Sequence, residues 1–399
     1  MSRTSTAAPR LGVAYRLNAR SVVRAGYGIT FNPLPLARPL RGSFPLTIAA
    51  DFQDPNNFQP FNRIEQGIPE FCCPDLSAGV VPLPPTAIIR TPGLGLLKRG
   101  YIQSWNLVVE RRLPREFVTS VGYVGTQTTR GFFDLDINAA APGTGIPGRP
   151  AFAAFGRAIS TSLLQGGVNA NYHSLQATVH RRLTGGLLLR AAYTFSRAIN
   201  WADDDGGVAL LWNPPSVLHR NRAQAGYNIP HNFQLGAVYE LPFGKRKPVL
   251  GGWQLSGAFG AFQGRPFTVT SGGASLNAPG NAQTADQVLS NVTKLGPVGS
   301  GARFYDPEAF RAVTQVRFGT SGRNLLRGPG VVNANVSLFK AFRIAEQFQL
   351  TFRAEAFNLA NTPHFANPAA NATDRTSFFA ITVADPDERQ FRFGLRLGF

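Results

Sequence analysis

The C-terminal stretch Arg389-Gln390-Phe391-Arg392-Phe393-Gly394-Leu395-Arg396-Leu397-Gly398-Phe399 has the clearest pattern in the chain. From Phe391 onward every odd-numbered position is apolar, and the positions between are arginine or glycine. A period of two places these two sets on opposite faces of a β-strand, whereas a helix would mix them. The stretch therefore predicts a strand with one apolar face and one face that carries arginines.

The same alternation of apolar and polar positions recurs upstream. In one segment, for example, Phe348, Leu350 and Phe352 alternate with Gln349 and Thr351. Most such segments approach the roughly 9–11 residues that a tilted strand needs to cross a bilayer. We predict about eleven strands within a single unit over residues 1–399, approximately at 10–16, 20–31, 101–112, 116–125, 172–182, 186–196, 231–241, 251–262, 332–340, 347–359 and 389–399.

The connections between these segments alternate in length. Short turns are predicted near residues 17–19, 113–115, 183–185, 242–248 and 343–347, and the segments between them are long, aperiodic and rich in Gly, Pro, Asn and Ala. Outer-membrane barrels show this alternation, because their periplasmic turns are short and their extracellular loops are long. We therefore predict an all-β, antiparallel up-and-down transmembrane β-barrel in the outer membrane of a Gram-negative bacterium, with a periplasmic C-terminus.

The composition bears on two other classes of protein. Charged residues make up only 16% of the chain, while Gly, Pro and Phe number 42, 30 and 31, which disfavours a helical bundle. The formal net charge of +18 raises the alternative of a basic soluble β protein that binds nucleic acid. The basic residues are nevertheless spread along the sequence, so we expect no nucleic-acid partner.

An odd strand count bears on how the barrel closes. A bacterial barrel with both ends in the periplasm has an even number of strands, so eleven would leave the first strand starting outside the cell. The first ten residues contain no apolar run that could serve as a signal peptide. We expect this chain to be about half of a larger barrel. Alone, it should form either an open curved sheet or a small barrel with paired end strands.

Ten short stretches occur in order along nearly the whole chain outside the long segments. They are Pro9-Arg-Leu-Gly-Val-Ala-Tyr15, Val23-Arg-Ala-Gly-Tyr-Gly28, Gln103-Ser-Trp-Asn-Leu107, Val121-Gly-Tyr-Val-Gly-Thr126, Asn171-Tyr-His-Ser-Leu-Gln176, Tyr193-Thr-Phe-Ser-Arg197, Tyr239-Glu-Leu-Pro-Phe-Gly-Lys245, Gly251-Gly-Trp-Gln-Leu-Ser-Gly257, Arg327-Gly-Pro-Gly330 and Phe352-Arg-Ala-Glu-Ala-Phe-Asn-Leu359. In these stretches and in their order, the chain resembles the Oar-like TonB-dependent receptors.

The resemblance implies a barrel of about 22 strands, a plug domain and a periplasmic box that engages TonB. Only barrel stretches are matched here, so the plug is absent from residues 1–399, and eleven strands correspond to the C-terminal half of such a barrel. The implied role is TonB-driven uptake or surface interaction with an unknown solute. The implied partners are outer-membrane lipid, the missing N-terminal barrel half and plug, and TonB in the full-length protein only.

Three groups of residues are candidate sites. The terminal residues Phe391, Phe393, Leu395, Leu397 and Phe399 resemble the signal read by the barrel-assembly machinery, although a terminal strand could carry them for packing alone. Rings near the ends of apolar faces are expected in interfacial girdles, at Trp105, Tyr123, Tyr193, Tyr239 and Trp253. Arginines opposite the apolar faces are expected in the lumen, to contact the plug or an anionic solute or to pair with carboxylates, at Arg190, Arg353, Arg392 and Arg396.

Other chemistry finds little support in the sequence. No P-loop, GxSxG elbow or GxGxxG fingerprint is present, so we expect neither an enzyme nor a cofactor. The acidic run Asp203-Asp204-Asp205 lacks EF-hand spacing, and the histidines lack zinc-site spacing, so we expect no metal. Two alternatives remain open beside the receptor: a plugless porin or adhesin-like surface barrel, and a truncated fragment without function.

Overall fold

The computed structural model describes most of the chain: residues 7–31, 46–47, 62–67, 77, 87–93, 95, 99–203, 210–242, 244, 250–296, 298, 303–344 and 347–399. Asp204 and Asp205 of the acidic run lie outside these ranges, as do the two adjacent cysteines of the chain, Cys72 and Cys73.

The body of the protein is one antiparallel sheet in which eleven strands follow each other in sequence order. The strands are β1 (Arg10–Asn18), β2 (Ser21–Phe31), β3 (Tyr101–Arg112), β4 (Phe117–Asp136), β5 (Thr161–Thr184), β6 (Leu187–Asn200), β7 (His231–Glu240), β8 (Trp253–Phe262), β9 (Val331–Arg343), β10 (Gln349–Phe357) and β11 (Gln390–Gly398). The all-β, antiparallel fold predicted from the alternating pattern is confirmed.

The strand registers place the apolar positions of neighbouring strands side by side. Leu395 of β11 lies opposite Phe352 of β10, and Leu338 of β9 lies opposite Ala354 of β10. The same holds at the other end of the sheet, where Val13 of β1 lies opposite Ala25 of β2. Because side chains alternate between faces, one face of the whole sheet is apolar and the other polar. We call these the apolar face and the polar face.

The two central strands β4 and β5 are longer than the sequence indicated. They were predicted to span 116–125 and 172–182, with an aperiodic loop between them, but the structure pairs residues as far as Asp136 with Ser162. The register shifts between Thr128 and Gly131 and again between Gly131 and Phe132. A bulge of this kind interrupts the two-residue period, so the continuation of both strands has no alternating signal in the sequence.

In their described residues, the long connections contain only short secondary structure. Single-turn helices occur at Phe152–Phe155 and Pro215–Leu218, and 3-10 turns at Ile64–Gln66, Pro114–Glu116, Ile146–Gly148, His219–Asn221 and Pro307–Ala309. Two-stranded ribbons pair Pro266–Phe267 with Leu326–Arg327 and Asp286–Gln287 with Phe310–Arg311. Three short strands extend the main sheet: Leu46–Thr47, Ile88–Pro92, which runs parallel to β5, and Ala223–Gln224.

The main apolar core lies in these connections and not in the sheet. We use the name loop layer for the described residues within 137–160, 201–230, 263–330 and 358–389. Its core combines two of the long connections and consists of Phe267, Val269, Ala285, Ala309, Phe310, Leu326, Ala372, Phe378 and Phe379. These connections therefore pack as a folded unit at one end of the sheet.

The sheet is open in the described residues. Among the eleven strands, β1 pairs only with β2 and β11 pairs only with β10. Of the two forms expected for the chain alone, the structure therefore adopts the open sheet. An antiparallel meander reverses direction at every strand, so the first and eleventh strands run in the same direction.

Candidate functional site

The apolar face carries large side chains that no other part of the described protein covers. Leu11 and Val13 in β1 are 68% and 67% exposed, and Phe393 and Leu395 in β11 are 74% and 72% exposed. Central strands show the same exposure, with Leu175 in β5 at 48%. A soluble monomer rarely exposes so extensive an apolar surface, whereas a barrel presents it to lipid.

The predicted interface aromatics all lie on this face, but the structure divides them into two rows. Trp105, Tyr123 and Tyr193 lie toward the loop layer, whereas Tyr239 and Trp253 lie at the end where the short turns are found. We call these the loop-end row and the turn-end row.

Histidines that the sequence did not point to complete the loop-end row. The hydroxyl of Tyr123 lies 2.7 Å from Nδ1 of His173, and the hydroxyl of Tyr193 lies 2.7 Å from Nδ1 of His231. The two pairs repeat one geometry, because each histidine lies opposite the residue two places after its tyrosine. The Trp105 ring stands 6.2 Å from that of His173. The signal that could have found them is the placement of His173 and His231 at alternating outward positions.

The turn-end row is built around a lysine. The Lys340 ammonium lies 5.1 Å from the centre of the Trp253 ring and 4.5 Å from that of Phe342. The Trp253 ring also meets Phe352 edge-on, at 6.0 Å. The long stem of a lysine can cover apolar surface while its charged end contacts aromatic faces.

The spacing of the two rows fits a membrane. Tyr239 and His231 are eight residues apart in β7, which corresponds to about 26 Å along a strand. The apolar band of outer-membrane barrels is about 25 Å tall, with aromatic girdles at both of its edges, and strand tilt lowers the height spanned. This agreement supports the predicted girdle role without testing it directly.

The four predicted lumen arginines all lie on the polar face, but they do not form one cluster. Arg353, Arg392 and Arg396 are on the adjacent strands β10 and β11, whereas Arg190 is on β6, with three strands between it and β10, and lies opposite His180. Arg353 lies 3.8 Å from Glu355, and the Arg392 guanidinium lies 4.8 Å from the Phe357 ring. The Arg353–Glu355 pair fits the carboxylate-pairing interpretation of that residue.

Two clefts open on the polar face beneath the loop layer. The larger, about 560 Å³, has one arginine and one aspartate in its wall and is lined by Phe262, Gln263, Arg265, Phe365, Asn367 and Asp385, among others. The smaller, about 340 Å³, has no charged side chain in its wall, and its polar side chains come from Tyr172, Gln176, Thr194, Ser196, Tyr227, Asn228 and Asn232. Ile229 lines both clefts.

A buried polar network joins three connections of the loop layer. Asp136 and Arg149 form an ion pair at 3.4 Å with both side chains nearly fully buried, and Arg149 also donates to the backbone carbonyl of Asn138 at 2.7 Å. The Asn213 side chain accepts from the backbone of Asp136 at 2.9 Å, and the Asn281 side chain donates to the carbonyl of Ala140 at 3.0 Å. Buried polar groups satisfied in this way hold the connections in one arrangement.

Contacts within the loop layer also shift the pKa values of charged side chains. The two terminal guanidinium nitrogens of Arg317 donate to Asp286, at 2.9 and 2.7 Å, and these bonds hold the pKa of the carboxyl below its usual range. Burial lowers the pKa of Arg323, which lies 3.5 Å from Asp203. These groups serve the packing of the loops.

A family model described as outer membrane beta barrel domain matches residues 2–392. The chain belongs to this family. The protein is therefore located in the outer membrane, and its exposed apolar face is the surface that meets lipid. No curated protein matches the chain.

Among the solved structures whose fold is similar to that of this chain are three receptors. The ferric-catecholate import receptor Fiu of E. coli K12 has 11% identity and a TM-score of 0.43, over 98% of this chain and 34% of the receptor. The ferripyoverdine receptor of Pseudomonas aeruginosa has 12% identity and a TM-score of 0.46, over 98% and 33%. The ferric enterobactin receptor PfeA of P. aeruginosa, a mutant, has 11% identity and a TM-score of 0.47, over 98% and 40%. The chain thus spans two fifths or less of each receptor's length.

The predicted assembly residues form the exposed edge of the barrel sheet. Phe391, Phe393, Leu395 and Leu397 point to the apolar face, and Phe399 is 95% exposed. The structure describes their place and exposure, and their role in assembly stays a prediction.

In the described residues, the candidate metal ligands do not gather at one site. Within the described residues, no three His, Cys, Asp or Glu side chains lie close enough to hold a metal ion. Of the histidines, His364 is buried in the loop layer, 2.8 Å from Asp387. None of the helices in the described part of the chain has the length and hydropathy needed to span a membrane.

Proposed function

We propose that this chain forms the C-terminal half of the barrel of an Oar-like TonB-dependent receptor that binds or takes up a solute at the outer membrane. Its membership of the outer membrane beta barrel domain family supports the membrane role. The ordered stretches that resemble the Oar-like receptors support the finer assignment, and nine of the ten lie wholly or partly in strands of the same barrel sheet.

The open sheet supports the proposal that further strands complete the barrel. An unpaired strand edge in hydrocarbon leaves backbone groups unsatisfied, at a cost of several kcal/mol each. The edges of β1 and β11 are both unpaired within the described residues. Since these strands run in the same direction, only an odd number of additional strands can close the sheet with antiparallel seams. Self-closure adds no strand and would pair β1 with β11 in parallel, and a second copy of this chain in the same membrane orientation would also meet both edges with parallel strands.

The site of solute contact is proposed at the loop-layer end of the polar face. The two clefts lie there, where Arg265, Tyr172 and Tyr227 reach the surface of the cavity walls. The arginines Arg353, Arg392 and Arg396 lie on the same face, and we assign them to contact with a plug or with anionic solute. This role is that of a receptor or transporter, and no catalytic residue takes part in it.

The terminal strand is proposed to be recognised during assembly. Its outward residues and the ring of Phe399 are exposed beside a free strand edge, so a strand of the assembly machinery could pair with it. Removal of Phe399 should lower the fraction of heat-modifiable, membrane-inserted protein in cells. Equal insertion of the shortened protein would assign these residues to packing alone.

The experiment that tests the receptor proposal is to read the genomic DNA upstream of Met1 in the same frame. We expect an open frame that encodes an odd number of further strands, a plug with a TonB box and a signal peptide. A ribosome-binding site at Met1 with no upstream coding sequence would contradict it. That result would favour a decayed gene or an unusual small barrel.

A further inference from the structure

Four basic or imidazole side chains gather at the loop-layer edge of the apolar face. Arg197 of β6 lies directly opposite His173 of β5. Phe195, two residues before Arg197 on the same face, lies opposite His231 of β7. The guanidinium of Arg222 reaches the same place, where it donates to the side chain of Asn171 at 3.1 Å. We call His173, Arg197, Arg222 and His231 the basic rim.

No residue that the structure describes neutralises the charge of the two arginines in the basic rim. All four side chains are exposed, and neither Arg197 nor Arg222 forms an ion pair with any residue that the structure describes. Farther into the loop layer, burial lowers the pKa of Arg327, and the positive charge of Arg197 lowers it further. No described carboxylate therefore competes with an anion for Arg197 or Arg222.

The strands below the basic rim offer no anion either. At the apolar-face positions of the eleven strands, up to the bulge in β4, there is no aspartate or glutamate. The cations at those positions are Arg111, Arg181, Arg197 and Lys340. Arg111, Arg181 and Lys340 lie toward the short turns. Arg197 is therefore the only cation that these strands place on the apolar face near the loop layer.

The tyrosine pairs orient the two imidazoles of the rim. Nδ1 of His173 is bonded to Tyr123 and Nδ1 of His231 to Tyr193, which leaves Nε2 of both rings without a partner in the described part of the protein. When a tyrosine hydroxyl donates to Nδ1, the neutral ring carries its proton on Nε2, which is then a hydrogen-bond donor. With the tyrosine hydroxyls donating, the rim presents two guanidinium groups and two Nε2 donors above a row of aromatic side chains.

We propose that the basic rim is a binding site for the phosphate groups of a phosphorylated lipid in the outer leaflet. Guanidinium groups bind phosphate through two parallel charge-assisted hydrogen bonds, and basic clusters at membrane interfaces attract anionic headgroups. The aromatic row beneath the rim lies where the acyl chains of such a lipid begin. The proposal rests on the orientation given by the proposed function, in which the long loops face outward.

The turn-end cations provide a matched control on the same face. Arg181 lies 5.2 Å from the Phe117 ring and donates to the carbonyl of Arg115 at 2.9 Å, and Arg111 lies opposite Thr119 on the neighbouring strand. These arginines face the other leaflet. Their removal takes away the same charge from the same surface without touching the rim.

The experiment uses the full-length gene product in phosphatidylcholine nanodiscs with or without bis-phosphorylated lipid A. Retained lipid A is quantified by mass spectrometry for the wild type, R197Q/R222Q and R111Q/R181Q. We expect R197Q/R222Q to weaken lipid A binding at least about tenfold, which corresponds to about 1.4 kcal/mol. R111Q/R181Q should bind like the wild type, and lipid A without phosphates should not distinguish the three proteins.

Each other outcome has a defined meaning. Unchanged binding by R197Q/R222Q would overturn the lipid site while leaving the receptor proposal intact. A loss confined to R111Q/R181Q would overturn the site together with the assigned orientation of the barrel. Heat modifiability of each variant verifies its fold, and R197K/R222K, which keeps the charge, should retain part of the binding.

Discussion

The strands and the loop layer reach stability by opposite means. In the strands, large apolar side chains such as Leu175 and Phe393 are exposed, and the backbone is satisfied by neighbouring strands. In the loop layer, Phe310 and Phe379 are fully buried, and side chains supply much of the hydrogen bonding. The strands are therefore suited to lipid as a solvent, and the loop layer is built like a small water-soluble domain.

The contrast shows which features each solvent requires. Lipid accepts an apolar surface but no unpaired backbone group, so the strands need regular pairing and little interior packing. Water requires an apolar interior, so irregular loops hold one shape only if they build a core and satisfy their buried polar groups. Substitutions should therefore affect the two regions by different rules.

The largest effect is expected from Phe310→Ala in the core of the loop layer. Removing a fully buried ring leaves a cavity, at a cost of about 3–5 kcal/mol to the local stability of this unit. Hydrogen exchange should accelerate in the loop layer and stay unchanged in the strands. Phe155→Ala is the control because Phe155 is 77% exposed in the same layer. Equal acceleration in the strands would show that the two regions unfold as one.

The next effect is expected from Leu235→Arg, midway between the two aromatic rows of β7. A charged side chain at the midplane of the lipid face costs about 2–4 kcal/mol. Urea unfolding in lipid vesicles measures it. Gln234→Arg places the same side chain one position away, on the polar face, and should change stability little. Equal losses in both variants would argue against a lipid-facing surface.

A smaller effect is expected from Asn138→Ala in the polar network. The Asn138 side chain donates to the carbonyls of Arg157 and Ile159, at 3.2 and 2.8 Å, and accepts from the backbone of Ala151 at 2.8 Å. Leaving these buried groups unpaired should cost about 1–3 kcal/mol. Proteolysis between β4 and β5 reports the loss. Wild-type resistance of the variant would mean that the network adds nothing to the stability of that loop.

The smallest effect is expected from protonation of the Asp286 carboxylate at low pH. Its pKa is lowered in the folded protein by Arg317, so its contribution is complete above the unfolded pKa of about 3.9 and is lost as the pH falls through the folded pKa. Hydrogen exchange around residues 286 and 317 should therefore rise below about pH 4 in the wild type. In R317Q this acid-dependent rise should shrink, and a rise of the same size in the variant would exclude the pair as its cause.

How far the sequence predicts each region follows from the same contrast. The strands depend on neighbouring positions, so the alternation around Phe391 to Leu397 was enough to find them and their faces. The bulge at Gly131 broke that alternation and hid the continuation of β4 and β5. Only the strand registers show that the aromatic residues form two rows. The registers also separate Arg190 from the other three arginines.

The loop layer could not be predicted because its contacts join distant parts of the chain. Asn281 donates to the carbonyl of Ala140, and Arg220 donates to the carbonyl of Ser321, across 141 and 101 residues. No local period marks such partners in the sequence. The basic rim was missed for a related reason, because Arg222 reaches Asn171, two residues from the partner of Arg197 on β5, only after the connection between β6 and β7 has folded back.

The most direct test of the account is spin-label accessibility along β7. Labels are placed one at a time at residues 232–239 of the full-length protein in lipid vesicles, with Cys72 and Cys73 replaced by serine. We predict an alternation, in which labels at odd-numbered positions collide with oxygen dissolved in lipid and those at even-numbered positions collide with a water-soluble nickel complex. Equal access of the nickel complex to both sets would contradict the assignment of the apolar face to lipid.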